Sequence, residues 1–291
     1  MKKTAVDDAT AEFRARQLVA AVKPTSIPVS VEAYAAHVGA VICPQRDLGL
    51  GEPGWSFQNK GKYYICVNAN DLPQRQRFTV CHELAHIVLG LPSEHKETPS
   101  WSSVKRATNE ICCDIFAAEL LLPANLVQPL IAQANIGFRS IDDLAARAEA
   151  SFSMTGSRFA VLARAPCAFV FSERGTIRYA ARSTSLRDAK GWIAPRTAIP
   201  RGSVSERVRA GDVCEGPEEI SADMWLSDWR CGGGLLEQAR HLQKWDQTLT
   251  LIWFEDKEIP APSMARRDEQ DDEGLAELDG ILPWPDKKRR R

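Results

Sequence analysis

The sequence predicts an α+β chain of two folded parts, and three observations carry that prediction. An apolar helix holds the pentapeptide His82-Glu83-Leu84-Ala85-His86. Two short stretches just before it, Gly54 to Gln58 and Lys62 to Val67, read as a strand pair turning at Asn59-Lys60-Gly61. Strand-like runs then return between Cys167 and Phe254, after an intervening pair of helices. The expected architecture is a core of helices plus a small sheet in residues 1–135 and a helix-turn-helix-like segment in 136–165. A second small α+β domain in 166–257 and a charged tail in 258–291 follow.

The motif helix comes first. Phe78, Val80, Cys81, Leu84, Ala85, Ile87 and Val88 give it a broad apolar surface, Pro73 suits its first turn, and Gly90 followed by Leu91-Pro92 stops it. Residues four apart on a helix share a face, so His82 and His86 can hold one metal ion, with Glu83 beside its open position. That arrangement belongs to zinc hydrolases.

Catalytic zinc usually takes three protein ligands and a water. The next strongly apolar helical stretch, Val104 to Leu122, carries Glu110 and Asp114 four residues apart on one face. Glu110 as third ligand, with Asp114 accepting the other ring N–H of a ligating histidine, accounts for both carboxylates. Glu119 falls off that face and is expected at the surface.

These residues resemble the ImmA/IrrE family of zinc metallopeptidases. The likeness lies in Arg77-Phe78-Thr79 leading into the pentapeptide, and in a following helix of the pattern E-x-x-small-[ND]-x-F-A-A-x-L-L-x-P. Here Glu110, Cys113, Asp114, Phe116, Ala117, Ala118, Leu120, Leu121 and Pro123 fill those places. Pro28 to Gly39 resembles the short helix that precedes the family's first strand. The resemblance implies a zincin-like core holding one Zn²⁺ per chain on His82, His86 and Glu110, with Glu83 as catalytic base. One departure is Cys113, where the family more often has alanine; a small thiol fits the same space.

The second strand of the pair, with Tyr63, Tyr64 and Ile65, is the candidate edge on which an extended substrate would lie. Tyr63, Tyr64 and His95 are open candidates for stabilising a developing oxyanion.

With 291 residues, 44% hydrophobic and 26% charged, the chain is expected to be globular, with room for two cores. No apolar run approaches a membrane span, and the N-terminal Met1-Lys2-Lys3 meets Asp7-Asp8 where an export signal would place an apolar core. A cytoplasmic location without membrane contact is the expectation. The eight cysteines contain no C-x-x-C pair and read as reduced, mostly buried small hydrophobes.

Residues 140–164 read as two helices joined by a short turn, and a segment of this kind follows the peptidase core in the resembled family. Arg158 is the one basic residue of its second helix, so packing is favoured over DNA reading. The hairpin Cys167 to Ala181, a helix Leu235 to Trp245 and a strand Thr248 to Phe254 are expected in the second domain. Its tryptophans (192, 225, 229, 245 and 253) are read mainly as core. Segregated charge after Glu258, ending in Lys287-Lys288-Arg289-Arg290-Arg291, reads as a disordered tail.

The expected function is a zinc-dependent endopeptidase. By resemblance its substrate would be an intracellular helix-turn-helix repressor, cleaved to derepress stress-response or mobile-element genes. A zinc-containing sensor or antirepressor that only binds its partner is the alternative, as is a direct DNA-binding regulator.

Overall fold

Among the described residues, two sheets organise the chain, one of three strands and one of five. The computed structural model describes residues 6–49, 51–92, 108–229 and 231–255.

The first sheet sits among helices. Helix α1 (Asp8–Val22) starts at Asp7, whose side chain accepts from Thr10 N, and α2 (Val31–Val38) starts at Ser30 in the same manner. Strand β1 (Ala40–Gln45) follows, then the hairpin of β2 (Gly54–Asn59) and β3 (Lys62–Asn68). Helix α3 (Pro73–Leu89) carries the motif; it has proline in its first turn and ends at Gly90 in the left-handed region (φ 64°). Strand order is β1-β3-β2, with β1 parallel and β2 antiparallel to β3.

This order corrects one expectation. Tyr63, Tyr64 and Ile65 lie on the central strand, paired on both sides, so β3 has no open edge for a substrate. Among the described residues the free edge beside α3 is β2. The sheet packs Ala40, Ile65 and Val67 against α3 and α2, sharing a core with Tyr34, Leu84 and Phe116.

Helix α4 (Thr108–Leu121) lies between α1 and α3 and buries residues on several sides, including Glu119 at 2% exposure. Glu119 is therefore not a surface residue. Its carboxylate pairs with Arg158, and its Oε1 accepts from Ala124 N (3.2 Å) at the start of α5 (Ala124–Gln133).

Helices α6 (Phe138–Ala148) and α7 (Phe152–Leu162) form the expected helical pair. Helix α7 faces inward: Thr155, Gly156, Arg158, Phe159 and Ala160 are buried, and Arg158 also donates to Leu122 O at 3.1 Å. The one basic residue of a would-be reading helix is thus spent on an internal ion pair. Gly156 lets α7 approach the second sheet, since a Cβ there would lie 2.3 Å from the Phe169 ring.

The second sheet runs β5-β4-β8-β7-β6. Strands β4 (Cys167–Glu173) and β5 (Thr176–Arg182) form the expected hairpin; after the short helices α8 (Thr184–Asp188) and α9 (Val204–Ala210) come β6 (Glu218–Ser221), β7 (Gly234–Leu242) and β8 (Gln247–Trp253). One face carries Phe169, Leu251 and Trp253 onto α5, α6 and α7. The other carries Val170 and Ile252 under Leu186, Ile193 and Trp225. The helix expected from Leu235 to Trp245 is instead β7 followed by a 3₁₀ turn, Gln243–Trp245. Pairing with β8 along the whole strand outweighs the helical preference of Leu, Glu, Gln, Ala and Arg. Trp225 and Trp253 are buried, whereas Trp192 and Trp245 are exposed.

All eight cysteines are free thiols. Among the described residues no single helix is long and apolar enough to cross a membrane. His95, residues 104–107 of the expected α4 stretch and the tail 258–291 lie outside the described residues.

Candidate metal centre

The pitch of α3 places His82 and His86 one turn apart, and α4 lies across them. His82 Nε2 is 3.2 Å from His86 Nε2 and 3.2 Å from Glu110 Oε2, and His86 Nε2 is 3.6 Å from Glu110 Oε1. Two ligands of a tetrahedral ion, each bonded at about 2.0–2.1 Å, stand roughly 3.3 Å apart. The two imidazole nitrogens stand at that separation, and each has a Glu110 oxygen at 3.2 or 3.6 Å, so the residues present fit the metal.

Behind these donors, His82 Nδ1–H donates to Asp114 Oδ1 at 3.0 Å. This bond leaves Nε2 as the electron-pair donor and aims it at His86 and Glu110. Burial works against a charged His82 ring, but the hydrogen bonds to Asp114 and Glu110 outweigh it and push its pKa up to about 10 in the metal-free protein.

A further donor stands at the same place. Cys113 offers its sulfur with every ligand atom of the trio His82, His86 and Cys113 within 4.8 Å of the others. Its thiol is pushed up by burial first, and then by Glu110 and Asp114. Glu110, about one-third exposed, also reaches both imidazoles through its two carboxylate oxygens. Cys113 sits fully buried at the floor.

Glu83 is 1% exposed, on the side of α3 that faces the sheet. Ser56 Oγ of β2 donates to Glu83 Oε2 at 2.7 Å. Sequence reasoning missed Ser56. The aromatic residues Trp55 and Phe57 alternate with it, and aromatics suggest the inward face; in fact Ser56 pairs with core-facing Ile65, while the row of Val41, Tyr64 and Phe57 looks outward. Gly54 makes the approach possible. With φ 155°, it lies so close that a Cβ would meet Cys66 O at 2.2 Å and the Thr79 methyl at 2.8 Å.

Tyr63 and Tyr64 flank the motif from the central strand, Tyr63 packing into the core and Tyr64 stacking on Phe57 at 5.2 Å on the far face. Tyr64 thus points away from His82, His86 and Glu110.

Residues 47–160 match the IrrE N-terminal-like domain of the M78 peptidases. Two relatives are named radiation response metalloprotease IrrE: one from Deinococcus deserti, 32% identical over 93 residues, and one from Deinococcus radiodurans, 30% identical over 93 residues. The match takes in 31% of this chain and 33% and 28% of those proteins, so it spans about a third of their length. A solved transcriptional regulator of Mycobacterium tuberculosis shares the fold at TM-score 0.56 and 13% identity, over 85% of this chain and 76% of that one.

Proposed function

We propose that the chain is a zinc-dependent endopeptidase, with one zinc on His82, His86 and Glu110 and Glu83 as its base. The observation that carries this reading is the pair of imidazole nitrogens 3.2 Å apart, each with a Glu110 oxygen at 3.2 or 3.6 Å, beside a buried glutamate.

Zinc in such a site supplies Lewis acidity that makes water a competent nucleophile near neutral pH and polarises a peptide carbonyl. The chain does the rest. Glu83 takes the proton as water attacks and returns it to the leaving amine. Ser56 fixes the plane of the Glu83 carboxylate through Oε2. Asp114 holds His82 in the tautomer that donates from Nε2. The free edge of β2 offers backbone groups to an extended peptide next to Glu83, which favours an unfolded or locally opened segment as substrate.

We take the substrate to be an intracellular helix-turn-helix repressor, in keeping with relatives named for a radiation response. Residues 166–257 are read as a regulatory part, because the second sheet carries a core of its own on the face away from α6 and α7. Inward-facing α7 speaks against direct DNA reading by that pair.

The test is co-expression with repressors encoded beside this protein. Cleavage that needs zinc and disappears in Glu83→Gln supports the endopeptidase; repressor release that persists in Glu83→Gln, with zinc retained, replaces it with a binder.

A further inference from the structure

Two cysteines far apart in sequence stand side by side. Strands β1 and β3 run parallel, and their register sets Cys43 next to Cys66. The core-facing residues of the two strands are Ala40 and Ile42, and Tyr63, Ile65 and Val67. Alternation turns both thiols to the opposite face, in one row with Trp55 of β2. Neighbouring strands lie about 4.8 Å apart, inside the roughly 4.4–6.8 Å between Cα atoms that a disulfide spans.

The two side chains differ in a useful way. Cys66 is 5% exposed, and its thiol is pushed up chiefly by burial, with Cys43 close enough to add to the effect. Cys43 is half-buried, and its sulfur contacts the carbonyl of Val41 at 3.9 Å on its own strand. A single χ1 rotation turns it toward Cys66. The outer thiol is the one an oxidant reaches, and the inner thiol is placed to resolve it.

We propose that Cys43 and Cys66 are an oxidative modification site that closes to a reversible disulfide in the presence of a hydroperoxide. The Cys43 thiolate attacks the terminal peroxide oxygen, and the O–O bond breaks. Cys43 becomes a sulfenic acid, and the alcohol, or water from hydrogen peroxide, leaves with the thiol proton. The Cys66 sulfur then displaces hydroxide from the Cys43 sulfur; the S–S bond forms, and hydroxide leaves as water with the Cys66 proton. In sum, two thiols and one hydroperoxide give one disulfide, one alcohol and one water, with two electrons passing from sulfur to oxygen.

The site lies against the catalytic base. The carbonyl of Cys66 occupies the place where a Cβ on Gly54 would stand, and Ser56, two residues further along β2, holds Glu83. Closing the disulfide ties β1 covalently to β3, the strand against which Ser56 is set. This link rests on the reading of Glu83 given above; the disulfide itself does not.

The experiment treats the full-length protein with equimolar hydrogen peroxide at neutral pH, alkylates the remaining thiols and maps peptides without reduction. The expected result is a Cys43–Cys66 cross-linked pair, loss of two of the eight alkylatable thiols and recovery of both with dithiothreitol. Cys43→Ser should abolish the cross-link and leave Cys66 alkylatable, and Cys66→Ala should leave Cys43 as a trapped sulfenic acid, so the two variants check each other. Cys43 found paired elsewhere, or over-oxidised while Cys66 stays reduced, overturns the proposal. Zinc-loaded protein should lose turnover on oxidation and regain it with dithiothreitol; a mapped disulfide with unchanged turnover overturns the link to Glu83 alone.

Discussion

The Ser56 hydroxyl donates to Glu83 Oε2 at 2.7 Å, tying the free edge of the first sheet to the middle of the metal-motif helix. A hydrogen bond to a charged group contributes about 1.5–3 kcal/mol, which converts to roughly tenfold to hundredfold in rate where it acts in the transition state. Ser56→Ala should therefore lower kcat by that factor with zinc content unchanged, and Ser56→Thr should recover part of it. Steady-state kinetics with metal analysis on the same samples decides this: zinc loss in Ser56→Ala would make the residue structural.

The choice of third ligand is open to a direct measurement. Glu110→Ala should leave the protein largely without zinc, whereas Cys113→Ala should bind one ion per chain. Cobalt-loaded wild-type protein should show no thiolate-to-metal charge-transfer band. A strong band that vanishes in Cys113→Ala would hand the position to the thiol. Asp114→Ala, which removes the partner of His82 Nδ1, should weaken zinc binding by about 10–100-fold and leave the ligands in place.

His82 sets a pH dependence in the metal-free protein. Its folded pKa is raised to about 10, against roughly 6.5 for a free imidazole. A raised pKa means the folded state holds the proton more tightly, so the stabilisation is complete below about pH 6.5 and is lost as pH rises through about 10. The Tm of metal-free wild type should fall relative to His82→Gln between these limits. Calorimetry of the two proteins across that range checks it; parallel curves would refute the ionic bonds to Asp114 and Glu110.

Gly156 measures how closely α7 rests on the second sheet. A Cβ there meets the fully buried Phe169 ring at 2.3 Å, so Gly156→Ala should overpack the contact and destabilise the protein by about 1–3 kcal/mol. Denaturant midpoints report it. Zinc binding at pH 7 should be retained, because the contact is remote from His82, His86 and Glu110.

The motif helix, the two carboxylates of α4 and both hairpins were legible because each is a local pattern: 3.6-residue periodicity, an i,i+4 pair, alternation around a turn. What could not be read was set by partners distant in sequence. The open edge belongs to β2 because β1 crosses over to pair with β3, and nothing within Gly54 to Val67 records that choice. Glu119 was misplaced by arguing from one helix face, whereas α4 is covered by both α1 and α3 and meets Arg158 of α7. A helix apolar on all sides announces burial on all sides, and its lone off-face carboxylate then calls for a cation. Leu235 to Leu242 has helix-favouring side chains but a strand's neighbours, and the neighbours prevail.

The buried pair of Glu119 and Arg158 bears on how this chain can be divided. Glu119 belongs to helix α4, and a cation reaches it from α7, beyond the expected boundary at residue 135. A fragment ending there discards Arg158 and leaves Glu119 with Arg16 of α1, whose Nε lies 3.8 Å from Oε2. A boundary at residue 135 therefore cuts a buried ion pair, while one at Leu162 would bare the core that α5, α6 and α7 share with the second sheet.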